Sequence, residues 1–126
     1  MLSQFSWLSY LDVAELLVHQ RGPEYYRSAV SRAYYGVLIH SRDTLQQLGG
    51  ITFSIGREIH HEVISALQND PRLGVAELGE KLNELRMERN RADYRTNVPF
   101  PANRARSALA EARRIRDGIA VFFPSS

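Results

Sequence analysis

The chain contains no cysteine, so disulfides and thiolate metal sites are excluded. That absence fits a reducing cytosol, and a cytoplasmic location is the expectation. No apolar run reaches the roughly eighteen residues that a membrane helix requires. Met1-Leu2-Ser3-Gln4-Phe5 has no basic stretch ahead of an apolar one, so neither a leader nor membrane association is expected. Lysine is nearly missing: of 16 basic residues only Lys81 is not arginine. Histidine stops at His61, and His60 and His61 are adjacent, so they diverge by about 100° on a helix. The i,i+4 histidine spacing of a zinc helix is missing, and no metal or other cofactor is expected. No segment alternates with the period of a strand, and no internal repeat or low-complexity stretch occurs.

What is present is charge of uneven distribution. The net charge is only +2, yet Arg86 to Asp117 holds nine arginines against Glu88, Asp93, Glu111 and Asp117, which leaves +5 there and −3 elsewhere. A basic C-terminal third suits phosphate, because the guanidinium fork matches its oxygens. A coding sequence that favours arginine codons over lysine codons gives the same excess with no ligand implied.

Periodicity predicts five helices in one domain over residues 1–126. The first runs from Trp7 to about Gln20, capped by Ser6, with Leu8, Leu11, Ala14 and Leu17 inward. Pro23 opens the second, which extends to about Leu48 and stops at Gly49-Gly50. Its stripe is Val30, Tyr34, Val37, Leu38, Ser41, Leu45 and Leu48. Tyr35 and Ile39 lie beside that stripe as a second apolar contact, suited to another chain, and His40 reads as a hydrogen-bonded packing residue. The third helix covers about Ser54 to Gln68, with Ile55, Ile59, Val63, Ala66 and Leu67 inward. The fourth begins at Pro71 or Gly74 and ends at Tyr94. After the rigid Pro99-Phe100-Pro101 connector, the fifth carries the stripe Ala105, Ala108, Leu109, Ala112, Ile115, Ile119, Phe122 and Phe123. The expected fold is all-α, an up-and-down bundle of four to five helices.

The fourth helix breaks its own pattern. Val75, Leu78, Leu82 and Leu85 step by three and four, and the next positions in that stripe are Arg89 and Ala92. An unpaired guanidinium is too costly to desolvate, so Arg89 needs an acidic partner, a carbonyl cage or an opening to solvent. Arg86, Asn90, Arg91, Asp93 and Tyr94 surround it in sequence. This is the one cluster where chemistry is expected.

Two blocks resemble a known family. Ser31-Arg32-Ala33-Tyr34-Tyr35-Gly36-Val37-Leu38 is similar to the S-R-A-Y-Y-A-x-F block of HEPN domains (higher eukaryotes and prokaryotes nucleotide-binding). Leu85-Arg86-x-x-Arg89-Asn90-x-Ala92-Asp93-Tyr94 resembles the L-R-x-x-R-N-x-A-D-Y block of the same subgroup. The resemblance implies a homodimeric HEPN-like bundle. Many such domains are metal-independent ribonucleases, often toxins neutralised by a small nucleotidyltransferase partner. Their arginine and adjacent polar residue correspond to Arg89 and Asn90. Their histidine corresponds to no residue here, for Tyr94 stands in that region.

Metal-free RNA cleavage needs a base for the 2′-hydroxyl proton, and tyrosine titrates about three units above histidine. Tyr94 is thus a poor base, although Arg89 still suits the charge that builds on phosphate. Three readings follow. The first is a dimeric module that binds RNA or nucleotide phosphate, or a nucleotidyltransferase, through Arg86, Arg89, Asn90 and Arg91, oriented by Asp93. The second is an active ribonuclease toxin using Arg89, Asn90 and Tyr94. The third is a structural lock in which Arg89 and Asp93, one turn apart, fix the helix end and a dimer.

Overall fold

The computed structural model describes residues 5–54 and 56–125. Five helices order as α1 (Ser9–Val18), α2 (Pro23–Gly49), α3 (Ile59–Gln68), α4 (Leu73–Tyr94) and α5 (Ala102–Phe122), with no strand among the described residues. The chain is a helical bundle built around α2. That helix contacts all four others, while α3 packs chiefly on α4, and α5 closes against α1, α2 and α4. One core runs through every helix, with Leu11, Tyr34, Leu38, Leu67, Leu82 and Ile115 almost wholly excluded from water.

The predicted stripes account for most of that core. Val75, Leu78, Leu82, Leu85, Arg89 and Ala92 are all buried, as are Ala105, Ala108, Leu109, Ala112, Ile115 and Ile119. Ser41 is buried in the α2 stripe because its hydroxyl donates 2.6 Å to the Val37 carbonyl, which satisfies it locally. Helices α2, α4 and α5 begin and end within two residues of expectation.

The short helices differ from expectation. Ser6 does not cap α1 with its side chain. Its carbonyl instead accepts from Ser9 N and Ser9 Oγ, and the helix proper starts two residues later than Trp7. Helix α3 starts at Ile59 rather than Ser54, since Gly56 takes φ +106°, incompatible with a right-handed helix. The predicted inward Ile55 lies outside the described residues. Leu48 is exposed rather than inward, because α2 outruns the core just before Gly50 closes it at φ +66°.

Two arginines hold ends together. Arg27 of α2 donates from Nη1 to the carbonyls of Arg91 (3.3 Å) and Ala92 (2.8 Å). Its Nη2 donates to Arg95 (3.0 Å) and Val98 (2.7 Å). It therefore caps the last turn of α4, where the Arg91 carbonyl also accepts from the Arg95 amide, and seats the following loop. The buried Phe100 ring lies 5.2 Å from the same guanidinium. Arg72 joins Asp70 (3.0 Å) to the Phe122 carbonyl (3.0 Å), tying the start of α4 to the end of α5.

Helices α3 and α4 approach closely at Gly79. A Cβ there would stand 2.6 Å from the Gln68 backbone nitrogen and 3.0 Å from Leu67 Cβ. Gly79→Ala should therefore destabilise the fold by about 1–3 kcal/mol in denaturant unfolding, despite alanine's better helix propensity. A gain in stability would show that the two helices are not so tightly apposed.

Candidate functional site

Arg89 occupies its stripe position with only 6% of its surface exposed. The chain accommodates the charge with an aromatic cage. Its guanidinium carbon lies 5.3 Å from the Tyr34 ring centre, 5.2 Å from Tyr35 and 5.8 Å from Tyr94. Ring faces carry negative potential, so three of them offset part of the lost hydration. Tyr34 and Tyr35 are consecutive on α2, where it crosses α4, and meet edge to face with centres 5.3 Å apart.

Asp93, one turn on, brings a carboxylate oxygen to 3.6 Å from Arg89 Nη1. That is an ion pair without a tight hydrogen bond. Ser31 steadies the same oxygen, donating over 3.3 Å. Tyr94 Oη is 3.4 Å from Nη1, a long contact, and the Tyr94 side chain is largely exposed. Arg89 Nε is buried without a partner, as is the Nε of Arg91. Arg86, one turn earlier, also has a buried, unpartnered Nε. No carboxylate among the described residues lies within ion-pair reach of Arg86. Asp93 is thus set against Arg89 alone and Arg86 has no counter-charge in reach among the described residues, leaving a positive excess with donors unspent.

The third helix brings His60 to this cluster. His60 Nδ1 lies 2.7 Å from Tyr34 Oη, and the two rings are parallel to within 2°. Tyr35 meets His60 edge to face at 5.8 Å. Burial pushes the Tyr34 phenol far above its ordinary range, against the pull of Arg86 and Arg89. A wholly buried hydroxyl needs an acceptor, and His60 Nδ1 is the partner it has. Tyr34 therefore donates to Nδ1, which leaves the imidazole neutral with its proton on Nε2. Burial, then Arg86 and Arg89, hold His60 below its usual range.

The residues expected to act together fall in three settings. Arg89, Asp93 and Tyr94 converge as described, with Arg86 beside them. Asp93 also opens onto a cleft of about 480 Å³ shared with Trp7, Tyr10, Ser31, Arg32 and Tyr35. Asn90 and Arg91 line another cleft, with Glu88, Arg95 and Arg104, in which Arg104 is paired to Glu88. Asn90 is thus separated from the Arg89 cage by its 100° step around the helix. Tyr35, expected to contact another chain, is half-buried against Arg89 and His60 of its own chain, and Ile39 is buried too. His61 is exposed, and His40 is half-buried, its imidazole held below the usual range by burial against the opposing pull of Asp43. No three His, Cys, Asp or Glu side chains gather closely enough to hold a metal among the described residues.

Two residues, His60 and Arg27, and one pairing were missed in the sequence. His60 steps by four and three to the buried Ile64 and Leu67, which marks it as inward-facing. Arg27 steps likewise to Val30 and Tyr34, the same signal that singled out Arg89. The pairing of Tyr34 with His60 had no local signal, because it joins positions 26 apart.

Arg89→Met should stay within about 1 kcal/mol of the parent, because a hydrophobe of similar length fills the cage without a charge to desolvate. Arg89→Ala should lose about 3 kcal/mol, through the cavity and the lost ring contacts. Equal losses in both variants would show that the ion pair, not the packing, holds this region. Stability should also depend on acid. His40 and His60 bind protons more tightly in the unfolded chain, so stability is complete above about pH 6.5 and declines as pH falls below it. A melting temperature unchanged between about pH 7.5 and 5.5 would contradict that sign.

No helix among the described residues is long and apolar enough to cross a membrane. The chain matches no model of a known protein family, no curated protein and no solved structure.

Proposed function

We propose that this chain is a HEPN-like up-and-down bundle that acts as a dimeric module binding RNA or nucleotide phosphate, in a system that includes a small nucleotidyltransferase. The observation that carries the phosphate reading is the Arg86–Arg89 pair, with an unpartnered Nε on each and a single carboxylate, Asp93, set loosely against Arg89. Such a pair suits an anion whose oxygens take two guanidinium forks. Exposed Tyr94, against Arg89, and exposed Met87, on the Asn90 side of α4, provide apolar area for a second copy.

Cleavage is the weaker reading. Tyr94 Oη reaches Arg89 only at 3.4 Å, and a phenol is a poor base near neutral pH. A structural lock is favoured by a different observation, the 6% exposure of Arg89 inside three rings. The two roles separate at Arg86, which has no such cage among the described residues.

A fluorescent single-stranded RNA should bind with affinity that falls steeply with salt and shows little sequence preference, as phosphate contacts release counterions. Arg86→Ala should weaken it about tenfold with the melting temperature nearly unchanged, the size of one charged hydrogen-bonded contact. RNA cleavage in EDTA should be slight, and Tyr94→His should raise it. Binding insensitive to salt and to Arg86→Ala would overturn the phosphate reading and leave the structural lock. Light scattering should give a dimer mass at micromolar concentration, and a monomer would remove the dimer from the proposal.

A further inference from the structure

The cleft beside Asp93 is lined by polar groups whose hydrogen-bonding roles are already set by their neighbours. It lies between the chain entering α1, the first half of α2 and the end of α4. Trp7, Tyr10 and Tyr35 are its aromatic walls, and its volume of about 480 Å³ falls in the range of small-ligand sites. Trp7 meets Tyr10 edge to face with ring centres 5.2 Å apart, and the Arg32 guanidinium lies 5.0 Å from the Tyr10 ring centre. Ser28 donates its hydroxyl proton to the Glu24 carbonyl at 2.7 Å, and Ser31 donates to Asp93 Oδ2 at 3.3 Å. Both serine oxygens can therefore meet a ligand only as acceptors. Asp93 Oδ1 has no hydrogen-bond partner among the described residues, and it too only accepts. Arg32 is exposed, without an ion pair or hydrogen bond among the described residues, and can only donate.

A ligand for this cleft must be flat, bring donors to Asp93 and bring acceptors to Arg32. An organic cation fits poorly, since Arg89 and Arg32 already set two positive charges around one carboxylate. A simple anion would meet that carboxylate. Guanine alone among the common bases carries two adjacent donors, N1–H and the N2 amine, followed by two acceptors, O6 and N7. The pairing of an arginine fork with O6 and N7 is the commonest specific contact to this base. Adenine would turn an unprotonated N1 toward the carboxylate.

We propose that the Trp7–Tyr10–Asp93 cleft binds a guanine base, with Asp93 accepting from its N1–H and N2 amine, Arg32 donating to O6 and N7, and the aromatic walls packing on the ring. This rests on the reading of the chain as a module for RNA or nucleotide phosphate, and it names the base that the module selects. The source is a free guanine nucleotide or a guanine within single-stranded RNA. The preference is for one nucleotide rather than for a sequence.

Trp7 is the only tryptophan in the chain, so its fluorescence reports on this cleft directly. The test titrates the full chain with guanosine, with guanosine, inosine and adenosine monophosphates, and with ten-nucleotide uridine RNAs that hold one guanine or none. Guanosine monophosphate should quench Trp7 and bind about tenfold more tightly than adenosine monophosphate, with the inosine compound, which lacks the N2 amine, between them. Asp93→Asn should erase that preference. Arg32→Met should weaken guanosine monophosphate about tenfold with the melting temperature nearly unchanged, because Arg32 is exposed and has no ion pair among the described residues. A guanine preference among the mononucleotides supports a free nucleotide as the ligand, and one seen only between the two RNAs supports a polynucleotide.

Equal quenching by the guanine and adenine compounds would overturn the base assignment. So would Trp7 emission that follows protein concentration and not nucleotide, which would mean that a second copy covers the cleft. Salt-sensitive RNA binding that depends on Arg86 while Trp7 stays silent would overturn the cleft and leave the phosphate reading standing. Guanosine carries no phosphate, so its binding supports the cleft whatever becomes of the arginine pair. No binding of any of these probes would overturn both.

Discussion

The burial of one arginine constrains much of this bundle. Arg89 falls where the apolar stripe of α4 requires a core residue, and its charge must be accommodated in the α2–α4 crossing. The cage of Tyr34, Tyr35 and Tyr94 does most of this, with Asp93 as a loose counter-charge steadied by Ser31. Arg27 adds the second constraint. By donating to two carbonyls before Tyr94 and two after it, it fixes where α4 ends and so where Asp93 and Tyr94 stand. The S-R-A-Y-Y stretch and the R-N-x-A-D-Y stretch are thus two halves of one structure, packed across a single helix crossing.

The same arrangement limits what chemistry is available. A guanidinium enclosed by rings contributes through its unspent edge and its field, whereas Arg86 lies outside the cage and is better placed to meet a ligand. Burial first, then the field of both arginines, holds the His60 imidazole below its usual titration range, and the buried Tyr34 hydroxyl occupies its Nδ1. The Tyr94 hydroxyl touches Arg89 only at long range, and no histidine among the described residues stands beside it to take a proton. The proposed phosphate binding would draw on what these groups offer as they stand. Strand cleavage would require a base that Tyr94 does not readily supply.

The long helices were legible because their signals are periodic and redundant. In α4, six stripe positions agree, and the arginine that violates the stripe is itself informative. The short elements were less so. A single Gly56 conformation delayed α3, and Ser6 served α1 through its carbonyl rather than its side chain. The site was half legible: Arg86, Arg89, Asp93 and Tyr94 share one helix end and were read together. Asn90 was grouped with them by adjacency in sequence, though it faces another cleft. The cage was not among the expected partners of Arg89, since aromatic faces on a second helix leave no trace in the local pattern. His60 was set aside as a failed metal ligand, although its step to Ile64 and Leu67 placed it inward.

The arginine side chains can report on their own ligand. Each Nε–H of Arg86 and Arg89 is buried and unpartnered, so its proton–nitrogen NMR signal should be resolved from those of solvent-exposed arginines. Titration with a short single-stranded RNA should move both signals downfield together and slow their exchange with water, as each donor gains a phosphate oxygen. Signals that stay fixed while exposed arginines respond would contradict the Arg86–Arg89 pair as the phosphate site.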